Sequence, residues 1–192
     1  MSYEVIYIDP PWKYNKRKKG TVFGAGVTDR YTGGCMTYDE LVAFKPVIDG
    51  FAAVKCMMYM WATGAKFDEA MDLMRAWLFD YCTIAFVWEK LSKKGKPTTK
   101  PGNYTSQECE YVLLGAKERI KPAVKLVRQV IREPVREHSR KPDEARRRIE
   151  RMYPTQKKIE IFATEHAAGW DSYGYEVGKY GLVTRDELLI HV

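Results

Sequence analysis

Apolar residues recur along this chain with two different periods, and the order of those periods lays out the elements. Tyr3–Ile8 is rich in β-branched and aromatic residues and stops abruptly at Pro10-Pro11, which predicts a strand. Residues 54–61 and 81–88 are short apolar runs that predict two buried strands. Between them Phe67, Met71, Met74 and Leu78 fall at helical spacing, so residues 65–77 should form an amphipathic helix. Thr37, followed three residues later by Glu40, is a capping-box pattern opening a short helix through Phe44. Residues 110–114 predict a short strand ending at Gly115, and the alternation over 124–132 predicts another. Pro142 suits the first turn of a helix, with Asp143 and Glu144 well placed for its dipole. That helix has Ala145, Ile149 and Met152 on its apolar face and Arg146, Arg147, Arg148 and Arg151 largely outside it, on a solvated face. Ile159, Ile161 and Phe162 mark a last strand over 158–163.

Strands separated by helices predict an α/β domain with a largely parallel sheet flanked by helices. Such sheets put ligands at the carboxyl ends of their strands. Two strand ends carry unusual chemistry: Asp9-Pro10-Pro11-Trp12, and the segment from Glu160 through Glu176. Two long polar stretches, 13–35 and 89–107, read as functional loops. A chain of 192 residues suffices for one well-cored domain, and 45% apolar with 30% charged residues excludes a disordered one. No uncharged apolar run approaches the roughly 20 residues of a membrane span, and the first residues lack the pattern of a secretory signal. Cys35, Cys56, Cys82 and Cys109 are far apart and the three histidines are scattered. That pattern argues against a metal site and a disulfide framework, and for reduced thiols in a cytoplasmic protein.

Charge adds a partner. The chain carries +7, but residues 116–158 alone hold fifteen Lys/Arg against six Asp/Glu, so the remainder is net negative. A second basic cluster, Lys13, Lys16, Arg17, Lys18 and Lys19, follows the first strand, and Lys90, Lys93, Lys94, Lys96 and Lys100 lie on the second long loop. Clusters of this kind point to a polyanion, nucleic acid foremost. Both basic loops are expected to be mobile until they meet phosphates.

The tetrapeptide supplies candidate chemistry. A strand delivers the Asp9 carboxylate to its end, and two prolines then bring carbonyls without N–H groups of their own. Carbonyl acceptors with no amide donor beside them, followed by the Trp12 ring, suit a planar group bearing an NH₂. Acceptors that bind the hydrogens of an exocyclic amine favour its reactive, pyramidal geometry and stabilise the positive charge of attack.

These residues resemble a known family, the MT-A70-like adenine-N6 methyltransferases, over roughly residues 3–178. The similarity is carried by Asp9-Pro10-Pro11-Trp12, by Tyr31, Met36-Thr37 and Glu40-Leu41, by Met60-Trp61-Ala62-Thr63, and by Trp88-Glu89-Lys90. Gly102-Asn103-Tyr104-Thr105 with Glu110 and Leu113-Leu114-Gly115, the block from Pro134 to Glu144, and Lys158 to Ala163 with Gly169-Trp170 and Gly174 complete it. The resemblance implies a Rossmann-like, circularly permuted methyltransferase fold in one domain over 1–178, with 179–192 as its C-terminal extension. It implies S-adenosylmethionine as cofactor and methyl transfer to adenine N6 without a metal. Asp9 and the Pro10 carbonyl would hold the N6 hydrogens, Trp12 and Tyr31 would line the base pocket, and Pro11 would shape it. Lys141 would meet the methionine carboxylate, Glu160 the cofactor hydroxyls, and His166 would lie on the cofactor side. Lys16, Arg17, Lys18 and Lys19 would contact phosphates. Thr164, Ala167 and Tyr175 depart from the family's pattern and stand outside this set. DNA is favoured over RNA, in a bacterial or phage-encoded cytoplasmic enzyme acting alone, as a homodimer or with a partner subunit. The alternatives are an RNA adenine methyltransferase and a non-catalytic nucleic-acid-binding subunit.

Overall fold

A computed structural model describes residues 2–14, 34–98, 104–137, 140–174 and 177. Its strands are β1 (Tyr3–Ile8), β2 (Ala52–Ala62), β3 (Asp80–Leu91), β4 (Cys109–Ala116), β5 (Val130–Pro134), β6 (Lys158–Ile161) and β7 (Asp171–Tyr173). They form one sheet in the order β5-β3-β4-β2-β1-β6-β7. β1 pairs in parallel with β2 and β6, β3 with β5, and β6 with β7. Only β4 runs against its neighbours, antiparallel to both β2 and β3. The largely parallel α/β sheet expected from the sequence is therefore present, with one reversed strand inside it.

Period-two alternation sends each strand's side chains to two different cores. Ile6, Ile8, Met58, Met60 and Leu113 face one side, which is covered by α1 (Tyr38–Ala43), α2 (Lys45–Phe51) and α3 (Phe67–Ala76) through Leu41, Ile48, Leu73 and Met74. Val5, Tyr7, Tyr59, Trp61, Phe86, Trp88 and Val112 face the other, which is covered by α4 (Asp143–Met152) through Ala145 and Ile149. The capping box forms as expected: Thr37 Oγ1 accepts from the Glu40 N–H at 3.3 Å, and Glu40 accepts from the Thr37 N–H at 2.7 Å. Gly115 lies inside β4 rather than at its end. A Cβ there would sit 3.2 Å from Met74 Sδ and 3.3 Å from Phe79 Cβ, so the glycine lets α3 approach the sheet.

Four expectations need correction. The strand expected over 124–132 is only Val130–Pro134. Leu126 instead adopts a left-handed φ of 61° and is fully exposed, so its apolar alternation serves no sheet. α2 and β7 were not foreseen, being too short for a periodic signal. Lys90 belongs to β3 and is buried, not to a basic loop, and the described residues after it turn tightly, with Gly95 at φ 74° and the Ser92 N–H donating to the Lys96 carbonyl at 2.7 Å. The α4 arginines divide: Arg147 and Arg151 are exposed, whereas Arg146 and Arg148 are buried, because their guanidiniums find carboxylates and carbonyls beneath the helix. Among the described residues no helix is long and apolar enough to cross a membrane. The expected extension over 179–192 lies outside the described residues.

Candidate active site

The same alternation that builds the second core carries chemistry to its rim. Beyond Tyr7 the next side chain on that face of β1 is Asp9, beyond Trp88 on β3 it is Lys90, and two residues before Val112 on β4 it is Glu110. Because β4 is reversed, its beginning lies level with the ends of β2 and β3, where Trp88 pairs with Glu110. Lys141 arrives just ahead of α4. Arg136 holds that approach, donating to the Lys141 carbonyl at 2.6 Å and to both Asp143 carboxylate oxygens at 2.8 and 2.9 Å.

These groups form a chain of alternating charge. Lys141 Nζ donates to Asp9 Oδ2 at 2.6 Å and lies 3.4 Å from Glu110 Oε2, and Lys90 donates to Glu110 Oε1. The two ammoniums also stand over indoles, Lys141 5.5 Å from the Trp61 ring and Lys90 5.3 Å from that of Trp88. Burial by itself would raise the Glu110 carboxyl, but Lys141 and Lys90 overcome it and hold the group at about 2. Asp9 goes the other way: burial raises it, and Lys141 opposes that only in part.

A second cluster adjoins the first on β6. Glu160 is the register partner of Tyr7 on β1 and of Ser172 on β7. Arg146 donates to its Oε2 at 2.8 Å. Arg146 also donates to Asp143 at 2.7 Å and to Glu165, whose other oxygen accepts from Arg140 at 2.9 Å. Ser172 Oγ is buried with no hydrogen-bond partner among the described residues. A methyl donor that carries an amino-acid carboxylate and a ribose diol fits this donor set. Lys141 offers an ammonium, and Glu160 with the orphaned Ser172 hydroxyl offers groups for a diol.

Asp9, Pro10, Pro11, Lys141 and Glu160 therefore come together at the carboxyl edge of the sheet. Trp12 is only 5% exposed and packs in the first core, with Lys66 Nζ 5.9 Å from its ring and its indole N–H unpartnered among the described residues. His166 is exposed in the connection between β6 and β7. Tyr31, Lys16, Arg17, Lys18 and Lys19 lie outside the described residues. The expectation of prolyl carbonyls without amide donors is corrected. The Trp12 N–H closes onto the Pro10 carbonyl at 2.8 Å and the Met36 N–H onto that of Pro11 at 2.7 Å, since the prolines remove only their own donors. Each carbonyl oxygen keeps a second lone pair. Sequence reasoning gave no site role to Glu110, Arg146 or Glu165, although Glu110 stood among the residues of the resemblance. The period of two from Val112 back to Glu110 was the available signal for the first.

The MT-A70 family model matches residues 3–176 of the chain. A type II methyltransferase, M.MunI of Mycoplasma sp., is 31% identical over 97% of this chain and 83% of its own length. The human N(6)-adenosine-methyltransferase catalytic subunit METTL3 is 26% identical over 96% of the chain, and an N(6)-adenosine-methyltransferase MT-A70-like protein of Arabidopsis thaliana is 26% identical over 95%. The chain spans only 30% and 25% of the length of these two.

Proposed function

The chain belongs to the MT-A70 family, and from that premise we propose how its own residues carry out methyl transfer to the N6 amine of adenine in nucleic acid. It is an S-adenosylmethionine-dependent adenine-N6 methyltransferase. The observation that carries the residue assignment is the Asp9 carboxylate at the end of β1, seated on Lys141 and beside the Glu160 cluster.

Asp9 accepts one N6 hydrogen and the remaining lone pair of the Pro10 carbonyl accepts the other. Holding both hydrogens draws the nitrogen lone pair out of conjugation and disperses the charge that develops on N6. S-adenosylmethionine, when bound, supplies a methyl group made electrophilic by its sulfonium. The burial that raises the Asp9 carboxyl suits it to take the N6 proton afterwards. Lys141 neutralises Asp9 beforehand and meets the donor's carboxylate, while Glu160 and Ser172 take the ribose hydroxyls. His166 lies on the donor side. Trp12 backs the base pocket from the core, Pro11 shapes it and Tyr31 lines it. Lys16, Arg17, Lys18 and Lys19 meet phosphates.

DNA is our preferred substrate over RNA. It is supported by the match to a type II methyltransferase over most of its length, whereas the N(6)-adenosine enzymes are matched over a minor part. A bacterial origin agrees with that relative's source, and a cytoplasmic location is our reading. The test is methylation of DNA and RNA oligonucleotides with radiolabelled donor, followed by nucleoside analysis. Label in N6-methyladenine from DNA is expected. Label from RNA alone would reverse the substrate choice, and label on any other atom would overturn the assignment of Asp9 and Pro10.

A further inference from the structure

An arginine in the middle of a surface helix ordinarily points to water, yet Arg146 is 9% exposed and turned under α4. Its guanidinium meets carboxylates from three elements: Asp143 on α4, Glu160 on β6 and Glu165 in the loop after β6. Two of the three do not depend on it. Asp143 is gripped through both oxygens by Arg136, and Glu165 is held by Arg140. Among the described residues Glu160 has no hydrogen bond to any other cation. The link from Arg146 to Glu160 is therefore one that helix docking alone does not require.

We propose that Arg146 is a positioning residue for donor binding, engaging Glu160 Oε2 so that Oε1 is fixed and presented to the ribose diol next to the Ser172 hydroxyl. The inference rests on the reading of Glu160 as a ligand of that diol. Its second support is chemical. Ser172, the register partner of Glu160 across β6 and β7, has a buried Oγ without a hydrogen-bond partner among the described residues. A ribose hydroxyl placed between the two side chains satisfies it, and buried polar atoms are rarely left unsatisfied.

The arrangement has a titratable consequence. The groups facing Glu160 are Tyr7 and Asp9 from β1, Arg146 from α4, Glu165 from the following loop and Ser172 from β7. Burial raises the Glu160 carboxyl, Glu165 and Asp9 push it the same way, and Arg146 opposes them. Without the guanidinium the carboxyl rises further and takes up a proton at higher pH. A protonated carboxyl no longer offers the diol a charged acceptor.

The test is calorimetric binding of S-adenosylhomocysteine to the full chain between about pH 6 and 9, a range in which such a shift is readable. Arg146→Gln should bind about tenfold or more weakly at the acid end and recover as pH rises, one unit of displacement corresponding to tenfold. Wild type should lose less affinity toward the acid end than Arg146→Gln does. Arg146→Lys, which keeps the charge but not the fork, should restore the wild-type profile at intermediate affinity. Glu160→Gln should bind weakly at every pH, and adding Arg146→Gln to it should cost little more. If Arg146→Gln does not fold, Arg146→Lys alone decides, and wild-type affinity in that variant overturns the proposal. A wild-type pH profile in folded Arg146→Gln, or additive losses in the double variant, also overturns it. Wild-type affinity in Glu160→Gln would instead refute the diol reading, and the role of Arg146 would fall with it.

Discussion

Glu110→Gln isolates the electrostatics of the buried chain, because it keeps the shape of the side chain and removes only its charge. In the folded protein Lys141 and Lys90 hold the Glu110 carboxyl at about 2, against an ordinary value of 4.5. Linkage converts that difference into about 3 kcal/mol of folding stability at neutral pH. The group's folded value lies below its unfolded one, so the contribution is complete well above the unfolded value and is lost as pH falls toward the folded one. About three-quarters of it remains at pH 4 and about two-fifths at pH 3. Urea unfolding followed by tryptophan fluorescence, with Trp61 and Trp88 beside the lysines, measures the gap between wild type and variant. Asp9 and Glu160 are displaced upward and act in the opposite sense, which is why the difference between the two proteins, and not either curve, is the quantity to follow. The gap should be widest at pH 7 and shrink steadily toward pH 3. A gap that stays constant over that range would refute the ionic account and leave only a packing effect.

Three further outcomes follow from the same geometry. Asp9→Ala should lower turnover by roughly 10²–10³ while S-adenosylhomocysteine still binds, and single-turnover kinetics retaining most of the wild-type rate would contradict its role at N6. Arg148 donates to the carbonyls of Arg128 and Val130 at 2.6 and 3.0 Å, so Arg148→Ala should cost about 1–3 kcal/mol in chemical denaturation without weakening donor binding. Neutralising Lys16, Arg17, Lys18 and Lys19 together should weaken nucleic-acid binding regardless of sequence. Every phosphate that the variant no longer neutralises should reduce the slope of log affinity on log salt by about 0.7–0.9, and an unaltered slope would mean the cluster touches no phosphate.

What could be read from the chain alone was what short-range physics encodes. The apolar run of β1, the Thr37–Glu40 cap and the Phe67–Met74 spacing are local signals, and each produced its element. The direction of β4 was not legible, because hydropathy marks a strand but not which way it runs. Arg146 and Arg148 looked solvated because their partners lie well away along the chain, Glu160 on β6 and Glu165 after it for Arg146, and the carbonyls of Arg128 and Val130, just before and at the start of β5, for Arg148. Lys90 was misread for the same reason, its partner Glu110 standing on the next strand. Asp9, Lys141 and Glu160 were legible as a set only through resemblance to a family. Trp12 was expected to line the base pocket, and its ring packs into the core instead.

The strand order also dictates a schedule for synthesis. β1 leaves the ribosome before the other six strands of its sheet and occupies the interior, between β2 and β6. β2 can join it early, but the edge that receives β6 stays open until Lys158 has been made to pair with Val5. Throughout that interval the nascent chain exposes an unpaired row of N–H and C=O groups beside Val5, Ile6 and Tyr7, which is the kind of template on which chains aggregate. Asp9 and Glu160 sit on the two sides of that late seam. Catalytic competence thus waits on the pairing of β1 with β6, and slow translation or a destabilised β6 should appear first as insoluble protein rather than as a sluggish enzyme.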